Sequence, residues 1–305
     1  MQSRFIVNVI LFVVVIVLIF NLYIVNNSSN TSNTILTDIN PGEIKQISIR
    51  HNKRVTTLKK DKDAWEMIEP INISADSFRV DTILKILQTP TYGSYITDGL
   101  DLDKYGLDQP TTTIKFDDIE ISFGILNPVS NYRYVKTDKK ISLIDDNFYP
   151  LLSSQIGTLV ARTLLAEDAK VKKLVLPGQI LELDKNNKWT SSRSMSADIL
   201  VDTISSWKND QAFGVHNYIE RKSLGNIEVY LSNQTNPIIF KITDTEPWLV
   251  IARPDLDIEY HFNTEFYNRL IKPGSKKEPE NNPDSNNQQD TRTVQPEEFF
   301  TPLQQ

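Results

Sequence analysis

The chain has 305 residues, with 33 lysines and arginines against 39 aspartates and glutamates, and it has no cysteine. Its net charge of −6 argues against a nucleic-acid partner, because a chain that neutralises phosphates is normally basic. The absence of cysteine excludes disulfides, thiol catalysis, thiolate metal sites and lipidation at an N-terminal cysteine.

The first element in chain order is an apolar run from Phe5 to Val25 that carries no charged residue. At about 1.5 Å of rise per residue, a helix of this length spans the roughly 30 Å hydrocarbon core of a bilayer. Arg4 precedes the run and the next basic residue is Lys45, so the positive-inside rule predicts a cytoplasmic stub at 1–4. A cleaved signal peptide is the competing interpretation, but it has a shorter apolar core and an Ala-x-Ala-like cleavage site, which is missing here. We therefore predict a single-pass protein of the inner (cytoplasmic) membrane, with a periplasmic or otherwise extracytoplasmic body.

Polar segments flank the region that is expected to fold. Residues 26–42 are rich in Asn, Ser and Thr, which predicts a flexible spacer. Residues 273–305 carry Pro, Asn, Gln and charge with almost no core-forming residues, which predicts a disordered tail. Phe299 and Phe300 in this tail have two interpretations, a short docking motif or a contact with the body.

The body between these segments contains one pattern twice. Each copy opens with β-rich runs separated by turns and reaches a tryptophan, Trp65 or Trp189. Each then has Ser-Ala-Asp followed by Val-Asp-Thr-Ile, and closes with further strand pairs and a short helix. This ordered series predicts a tandem duplication, with a first module at 43–157 and a second at 158–272. The predicted fold class is α+β: two tandem copies of a mainly antiparallel-sheet module with one or two helices each, preceded by one transmembrane helix.

Local patterns within each copy predict a helix and hairpin turns. Apolar residues recur at helical spacing, namely Val80, Ile83, Leu84 and Leu87 in the first copy and Leu200, Ile204 and Trp207 in the second. Asp76 and Asp198 precede these stripes and are the predicted N-caps. Asp117–Asp118 and Asp138–Lys139 separate alternating strands and predict hairpin turns.

Several short motifs resemble a known family. Tyr105 to Pro110 reads YGLDQP and leads into one strand, and a second strand ends at Phe123–Gly124. The remaining elements are LVARTLL before the second copy and the series Trp65, Pro70, Ala75 and Asp76. Over residues 43–272 the chain thus resembles the bacterial domain-of-unknown-function 4340 family. The resemblance implies a single-pass envelope protein without an established activity, found in some members beside transport or gliding machinery. It supplies no catalytic residues, and the second copy has RKSLGNIEV where the YGLxxP motif is expected.

No catalytic, cofactor or metal motif stands out in the sequence. His51, His216 and His261 lie in unlike segments, so half-exposed histidines in strands are favoured over a zinc site assembled across the fold. There is no GxSxG elbow and no GxGxxG or GxxxxGK loop, which counts against an α/β-hydrolase and the common nucleotide-binding loops. We therefore predict no catalytic residue, no cofactor and no metal.

Three acidic groups have a functional interpretation, and two of them also have a structural one. Asp101, Asp103 and Gly106 match three positions of an EF-hand loop, but its bidentate glutamate is missing, so a turn is favoured over calcium binding. The pair Asp145–Asp146 and the group Asp255, Asp257 and Glu259 could supply a general acid and base. Helix capping explains the first pair without catalysis.

The aromatic residues leave two functions open. A sugar-binding groove or the hydrophobic core could use Trp65, Tyr105, Tyr132, Tyr134 and Trp248, and the core is the more common place. The predicted function is a non-enzymatic accessory or scaffold subunit of an envelope or transport complex, with an envelope protein as partner. The alternative is an envelope glycan- or peptide-binding protein or hydrolase, with a cleft between the two modules that gathers carboxylates or aromatics.

Overall fold

The computed structural model describes residues 13–16, 34–138 and 140–274. Of the predicted membrane helix, only residues 13–16 fall in this part, and they are helical. No helix among the described residues is both long and apolar enough to cross a bilayer. The remainder of the predicted anchor and the tail beyond residue 274 lie outside the described residues.

The first module is a nine-stranded antiparallel sheet with the order β4-β3-β2-β1-β6-β7-β8-β9-β5. Its strands are β1 (Gln46–His51), β2 (Arg54–Asp61), β3 (Ala64–Glu69), β4 (Ile73–Ser74), β5 (Ser94–Ile96), β6 (Thr112–Phe116), β7 (Ile119–Leu126), β8 (Arg133–Thr137) and β9 (Lys140–Ile144). Its helices are α1 (Ser77–Leu84), which continues as a 3-10 turn at Lys85–Gln88, and α2 (Tyr149–Ser153). Further 3-10 turns lie at Pro41–Glu43, Leu102–Tyr105 and Ile156–Leu159.

The second module is an eight-stranded antiparallel sheet with the order β12-β11-β10-β14-β15-β16-β17-β13. Its strands are β10 (Val171–Leu176), β11 (Gln179–Leu183), β12 (Trp189–Ser191), β13 (Gly214–Asn217), β14 (Gly225–Leu231), β15 (Ile238–Asp244), β16 (Trp248–Arg253) and β17 (Ile258–Asn263). Its helices are α3 (Ala197–Asn209) and α4 (Phe266–Leu270), with a 3-10 turn at Pro254–Leu256. When the two-residue strand β4 is left out, the two strand orders are the same, so the structure confirms two tandem α+β modules.

The helices form where the apolar stripes predict them. All seven stripe residues are buried, and Asp76 caps α1 by accepting a hydrogen bond from the Arg79 backbone N–H at 3.0 Å. The predicted N-cap Asp198 is wrong, because α3 starts earlier and Ser196 accepts from the Ile199 N–H instead. Asp198 lies in the first turn of the helix, where its charge still complements the helix dipole.

The two predicted hairpin turns are also present. Asp117 and Asp138 have φ of 49° and 38°, in the left-handed region that aspartate tolerates and that tight hairpin turns require. The carboxylate of Asp117 additionally accepts backbone N–H groups of Lys45 and Gln46. The turn is therefore fixed to the start of β1.

Part of the predicted spacer belongs to the first module. Thr34, Leu36 and Thr37 make backbone hydrogen bonds to residues 87–91, and Leu36 and Ile39 pack against the core. Residues 34–42 are therefore bound to the module and are not a free spacer. Apolar side chains within the polar run allow this docking.

The segment between the modules binds to both of them. Val160 forms an isolated β-bridge with Ala75 of the first module, and Thr163 forms one with Gln211 of the second. Gly157 packs so closely on β13 that a Cβ there would lie 2.4 Å from the Val215 carbonyl oxygen. The buried apolar side chains of both modules form one continuous cluster, so the modules share a core.

Candidate functional site

The last strands of the second sheet have one face in the core and one face outside it. Along β17, Ile258, Tyr260 and Phe262 belong to the core cluster. Because side chains alternate along a strand, Glu259 and His261 point to the opposite side. We call this side the outer face of the sheet.

Two large aromatic side chains lie on the outer face of the second module. Phe213 and Trp248 pack edge to face, with ring centroids 5.1 Å apart. They nevertheless remain 49% and 45% exposed. Ile219, in the chain region after β13, is also exposed, and its N–H donates to Glu259 of this face. This face therefore presents apolar surface to its surroundings.

The first module carries an equivalent aromatic pair, Tyr92 and Tyr132. These rings are stacked, with centroids 4.1 Å apart and an interplanar angle of 3°. The Tyr92 N–H donates to the Leu143 carbonyl and the Phe213 N–H donates to the His261 carbonyl, both at 2.9 Å. Tyr132 lies two residues before Tyr134, which pairs with Leu143. In the same way, Trp248 lies two residues before Val250, which pairs with His261.

The side chains beside the two pairs differ in chemistry. In the second module His216 pairs in register with Glu259, and in the first module Tyr95 pairs with Ile141 at the same place. The strand position of His261 is Leu143 in the first module, as the shared hydrogen bonds show. The fold therefore accepts uncharged side chains at these positions, and the charged cluster is specific to the second module.

Glu259 is the centre of this cluster and is only 1% exposed. It accepts hydrogen bonds from the Ile219 N–H at 3.1 Å and from His261 Nε2 at 2.8 Å, and it forms an ion pair with Arg221. The His261 ring lies 4.6 Å from the His216 ring, centroid to centroid. His216 Nδ1 in turn lies 3.0 Å from Gln155 Nε2, which links the cluster to the end of the first module.

The cluster shifts the pKa values of two of its groups. Burial alone would raise the pKa of Glu259, but the hydrogen bonds from Arg221 and His261 outweigh burial and hold the pKa below its usual value. Burial is the main cause that lowers the pKa of His216, and repulsion from His261 adds to it, partly offset by Glu259. At neutral pH the cluster therefore holds an ionised carboxylate beside a neutral His216.

This arrangement favours binding over proton-transfer chemistry. Glu259 is buried and both of its oxygens already accept hydrogen bonds, so its carboxylate is not presented to a substrate as a general base. Within the described residues, no three His, Asp or Glu side chains are placed to hold a metal ion. The outer face instead presents an exposed aromatic pair next to a charged, hydrogen-bonded cluster.

The motifs that carried the family resemblance meet in one packing contact of the first module. Gly106 ends the 3-10 turn Leu102–Tyr105 with φ 64°, in the left-handed conformation. Tyr105 lies very close to Gly124: a Cβ added at Gly124 would be only 2.1 Å from the Tyr105 carbonyl oxygen. Leu107 is buried next to this contact. The YGL and FG motifs therefore close a loop onto β7, which favours the turn interpretation of this segment.

Residues 65–210 match the family model described as Domain of unknown function (DUF4340). These residues belong to that domain family. The comparisons with curated proteins and with solved structures give no match. The DUF4340 match contains Gly106, Gly124 and Gln155, but it ends before His216, Glu259 and His261. The family description names no activity.

The structure brings together two of the three histidines. His216 and His261 lie on neighbouring strands of the second module, whereas His51 lies on β1 and hydrogen-bonds Thr112 at 2.7 Å. All three are partly exposed strand histidines, as predicted, whereas the cluster of His216 and His261 with Glu259 was not predicted. The alternation in IEYHFN indicates that Glu259 and His261 share a face. The pairing of β17 with β13 leaves no local signal in the sequence.

Four of the five predicted acid–base carboxylates pair with separate partners, and the fifth, Asp257, ends the 3-10 turn Pro254–Leu256 with a left-handed φ of 56°. Asp146 pairs with the buried Arg133, and Asp145 accepts from the Tyr92 hydroxyl at 3.1 Å. Asp255 pairs with Arg253 at 2.8 Å, and this hydrogen bond is the main cause that lowers the pKa of Asp255. The capping interpretation of Asp145–Asp146 is wrong, because α2 has Phe148 at its N-cap and no side-chain cap. Arginine pairing accounts for Asp146 instead.

The predicted aromatic set divides between the core and the outer faces. Trp65 is 6% exposed and belongs to the core, as predicted. Tyr105 and Tyr134 contact each other edge to face at 4.9 Å. The core prediction is wrong for Trp248. It is the first residue of β16 and is exposed because it lies on the outer face of the sheet.

Two described cavities lie within single modules. The first, of about 640 Å³, is lined by residues of β2, β3 and α1, among them Trp65, Lys60 and Asp81. The second, of about 800 Å³, is lined by Pro247, Tyr267 and their neighbours. Neither is the predicted cleft between the modules. At Gly157 the junction is filled by direct backbone packing.

Proposed function

We propose that this DUF4340 protein is a membrane-anchored, non-enzymatic accessory or scaffold subunit of an envelope or transport complex. The helix from Phe5 to Val25 holds it in the inner membrane, and the two modules lie outside the cytoplasm. The outer face of the second module binds an envelope protein partner. Phe213, Trp248 and Ile219 form the apolar centre of that contact.

The exposed Phe213–Trp248 pair is the observation that carries this proposal. Aromatic side chains are enriched in the centres of protein–protein interfaces, where they bury large areas with few rotatable bonds. Phe213 and Trp248 are each about half exposed, because they lie on the face of the sheet opposite the core cluster. Leaving both rings in water costs free energy, which a partner that covers them would recover.

The polar side chains under this pair support a binding role. Glu259 is held by Arg221 and His261, and the His261 ring packs edge to face on Phe213 with centroids 6.1 Å apart. A hydrogen-bonded side chain therefore supports one ring of the pair before a partner arrives. A surface that is ordered in advance loses less conformational entropy on binding. The close packing at Gly157 also favours a rigid two-module body over an enzyme with a cleft between moving modules.

Affinity purification of the full chain from cross-linked membranes tests the proposal. The wild-type chain should recover a reproducible partner, and the double substitution Phe213→Ala with Trp248→Ala should lose it. Val201→Ala is the matched control, because Val201 is also an exposed apolar residue but lies on α3. Recovery of the wild-type chain alone, or equal loss of the partner in the control, would contradict the proposal.

A further inference from the structure

The first module has its own exposed apolar surface, at the edge of the sheet formed by β5. Ile96 on this edge strand is 69% exposed, and Val129 in the turn between β7 and β8 is 92% exposed. Tyr92 and Tyr95 are also exposed, and the Tyr95 ring lies close to Gly93. Because side chains alternate along a strand, Tyr95 and Ile96 point to opposite sides of β5, so both sides of this edge strand carry exposed apolar groups. We call Tyr92, Tyr95, Ile96, Val129 and Tyr132 the first-module patch.

The corresponding edge of the second module is covered. There, Ile156–Leu159 packs on β13, with Gly157 against the Val215 carbonyl. Among the described residues, β5 pairs with β9 only, and Ile96 stays open. In the second module this sheet edge is therefore covered by a neighbouring segment. In the first module, where the patch lies, no neighbouring segment covers it among the described residues.

The chain enters the first module beside this patch. The Thr91 N–H donates to the Thr34 carbonyl at 2.8 Å, and the two threonine hydroxyls lie 2.7 Å apart. Thr91 immediately precedes Tyr92 in the chain. The entry point at Thr34 and the aromatic pair are therefore held together by direct hydrogen bonds.

The covalent chain limits how far the patch can lie from the bilayer. Only residues 26–33 separate the end of the predicted membrane helix at Val25 from Thr34. A fully extended chain of this length spans at most about 30 Å. Tyr92 is tied to Thr34, so it lies within roughly that distance, plus the size of a few residues, of the membrane surface.

We propose that the first-module patch contacts the interfacial region of the bilayer that holds the anchor. The inference rests on the membrane anchoring in the proposed function. Tyrosine suits this region, because its ring is apolar and its hydroxyl reaches the headgroups. The hydrogen bond to Asp145 raises the pKa of the Tyr92 phenol, so the ring stays uncharged at physiological pH.

The charges around the patch decide which kind of membrane contact this is. The patch has both acidic and basic neighbours: Asp145 accepts a hydrogen bond from Tyr92, Lys140 pairs with Ile96, and Asp98 follows Ile96 by two residues. Neither sign of charge dominates. Attraction to anionic lipid headgroups needs a cluster of basic residues. The contact is therefore made by apolar burial in the lipid interface, and it is insensitive to salt and to the fraction of anionic lipid.

Depth-dependent quenching in proteoliposomes tests this inference, and the cysteine-free chain is suited to it. Single substitutions Val14→Cys, Ile96→Cys and Val201→Cys each carry one environment-sensitive fluorophore in the full chain, in phosphatidylcholine vesicles with spin-labelled lipids. We expect lipid quenching to be strongest at position 14, intermediate at 96 and absent at 201. Iodide in the water should quench in the opposite order.

The three positions separate failure of the inference from failure of the anchor. Quenching by lipid at 14 but not at 96 would overturn the membrane contact and leave the anchor in place. No lipid quenching at 14 would contradict the anchor, and with it the inference that depends on the anchor. Shielding of position 96 from iodide without lipid quenching would assign the patch to a protein contact and overturn the lipid assignment.

Discussion

Tyr92 and Phe213 occupy the same position of a repeated module. Each donates its backbone N–H, at 2.9 Å, to a carbonyl on the last strand of its module in chain order. Each ring also packs on a second aromatic ring. The acceptor residue, however, is Leu143 in one module and His261 in the other. The duplicated fold thus kept an exposed aromatic pair and changed its chemical surroundings, which is why we assign the two faces to different partners.

The contact of Gly157 with β13 predicts a specific cost at the module junction. Gly157→Ala places a Cβ 2.4 Å from the Val215 carbonyl oxygen, so the backbone must shift. We expect the free energy of unfolding to fall by about 1–3 kcal/mol, as for other overpacked sites. Gly42→Ala is the control, since its Cβ would meet Asn40 at an ordinary 3.4 Å. Chemical denaturation of both variants measures this, and equal losses would argue against a tight junction.

The fold was accessible from the sequence because its signals are local and occur twice. The stripe at Val80, Ile83 and Leu84 has helical spacing, and the turn at Asp117 has the composition of a hairpin. The N-cap of α3 was missed because Ser196 and Asp198 are both good caps, and the choice depends on where packing starts the helix. The docking of residues 34–42 depends on long-range contacts that a polar composition hides.

The candidate site could be predicted only in part, because its members come from distant segments. The alternation of Glu259 and His261 on β17 is visible in the sequence, but the crossover that places β13 beside β17 is not. Gln155 joins the cluster from the other module. Trp248 has the same apolar character as a core tryptophan, and its exposure follows only from which face of β16 meets the core.

The ion pair between Arg221 and Glu259 predicts non-additive effects on stability. Arg221→Gln leaves a buried carboxylate with less compensation, so we expect a loss of about 2–3 kcal/mol in the free energy of unfolding. Glu259→Gln removes the charge itself and should restore part of that loss in the double variant. A double-mutant cycle measures the coupling. Strictly additive losses would show that the two side chains do not stabilise each other.

The lowered pKa of His216 predicts acid sensitivity. Burial first, and then His261, keep its pKa below the usual value in the folded state. The unfolded chain therefore takes up the proton more readily, and stability falls as the pH drops below about 6.5. His51 acts in the same direction, because burial and then Arg54 lower its pKa.

Unfolding measured at pH 7.5 and pH 5.5 checks this prediction. The loss of stability on acidification should be smaller in His216→Gln and in His51→Gln than in the wild type, and smallest in the double variant. The Glu259 pKa is lowered, so its protonation belongs to a more acidic range and does not interfere. A wild-type protein that gains stability at pH 5.5 would contradict the prediction.

A photo-crosslinking amino acid at position 213 of the full chain, in intact cells, tests most directly whether the outer face of the second module contacts a partner. We predict one discrete adduct from position 213, weakened by Trp248→Ala, and no such adduct from the exposed control position 201. The same adducts from both positions, or none from position 213, would contradict a scaffold that binds through Phe213 and Trp248.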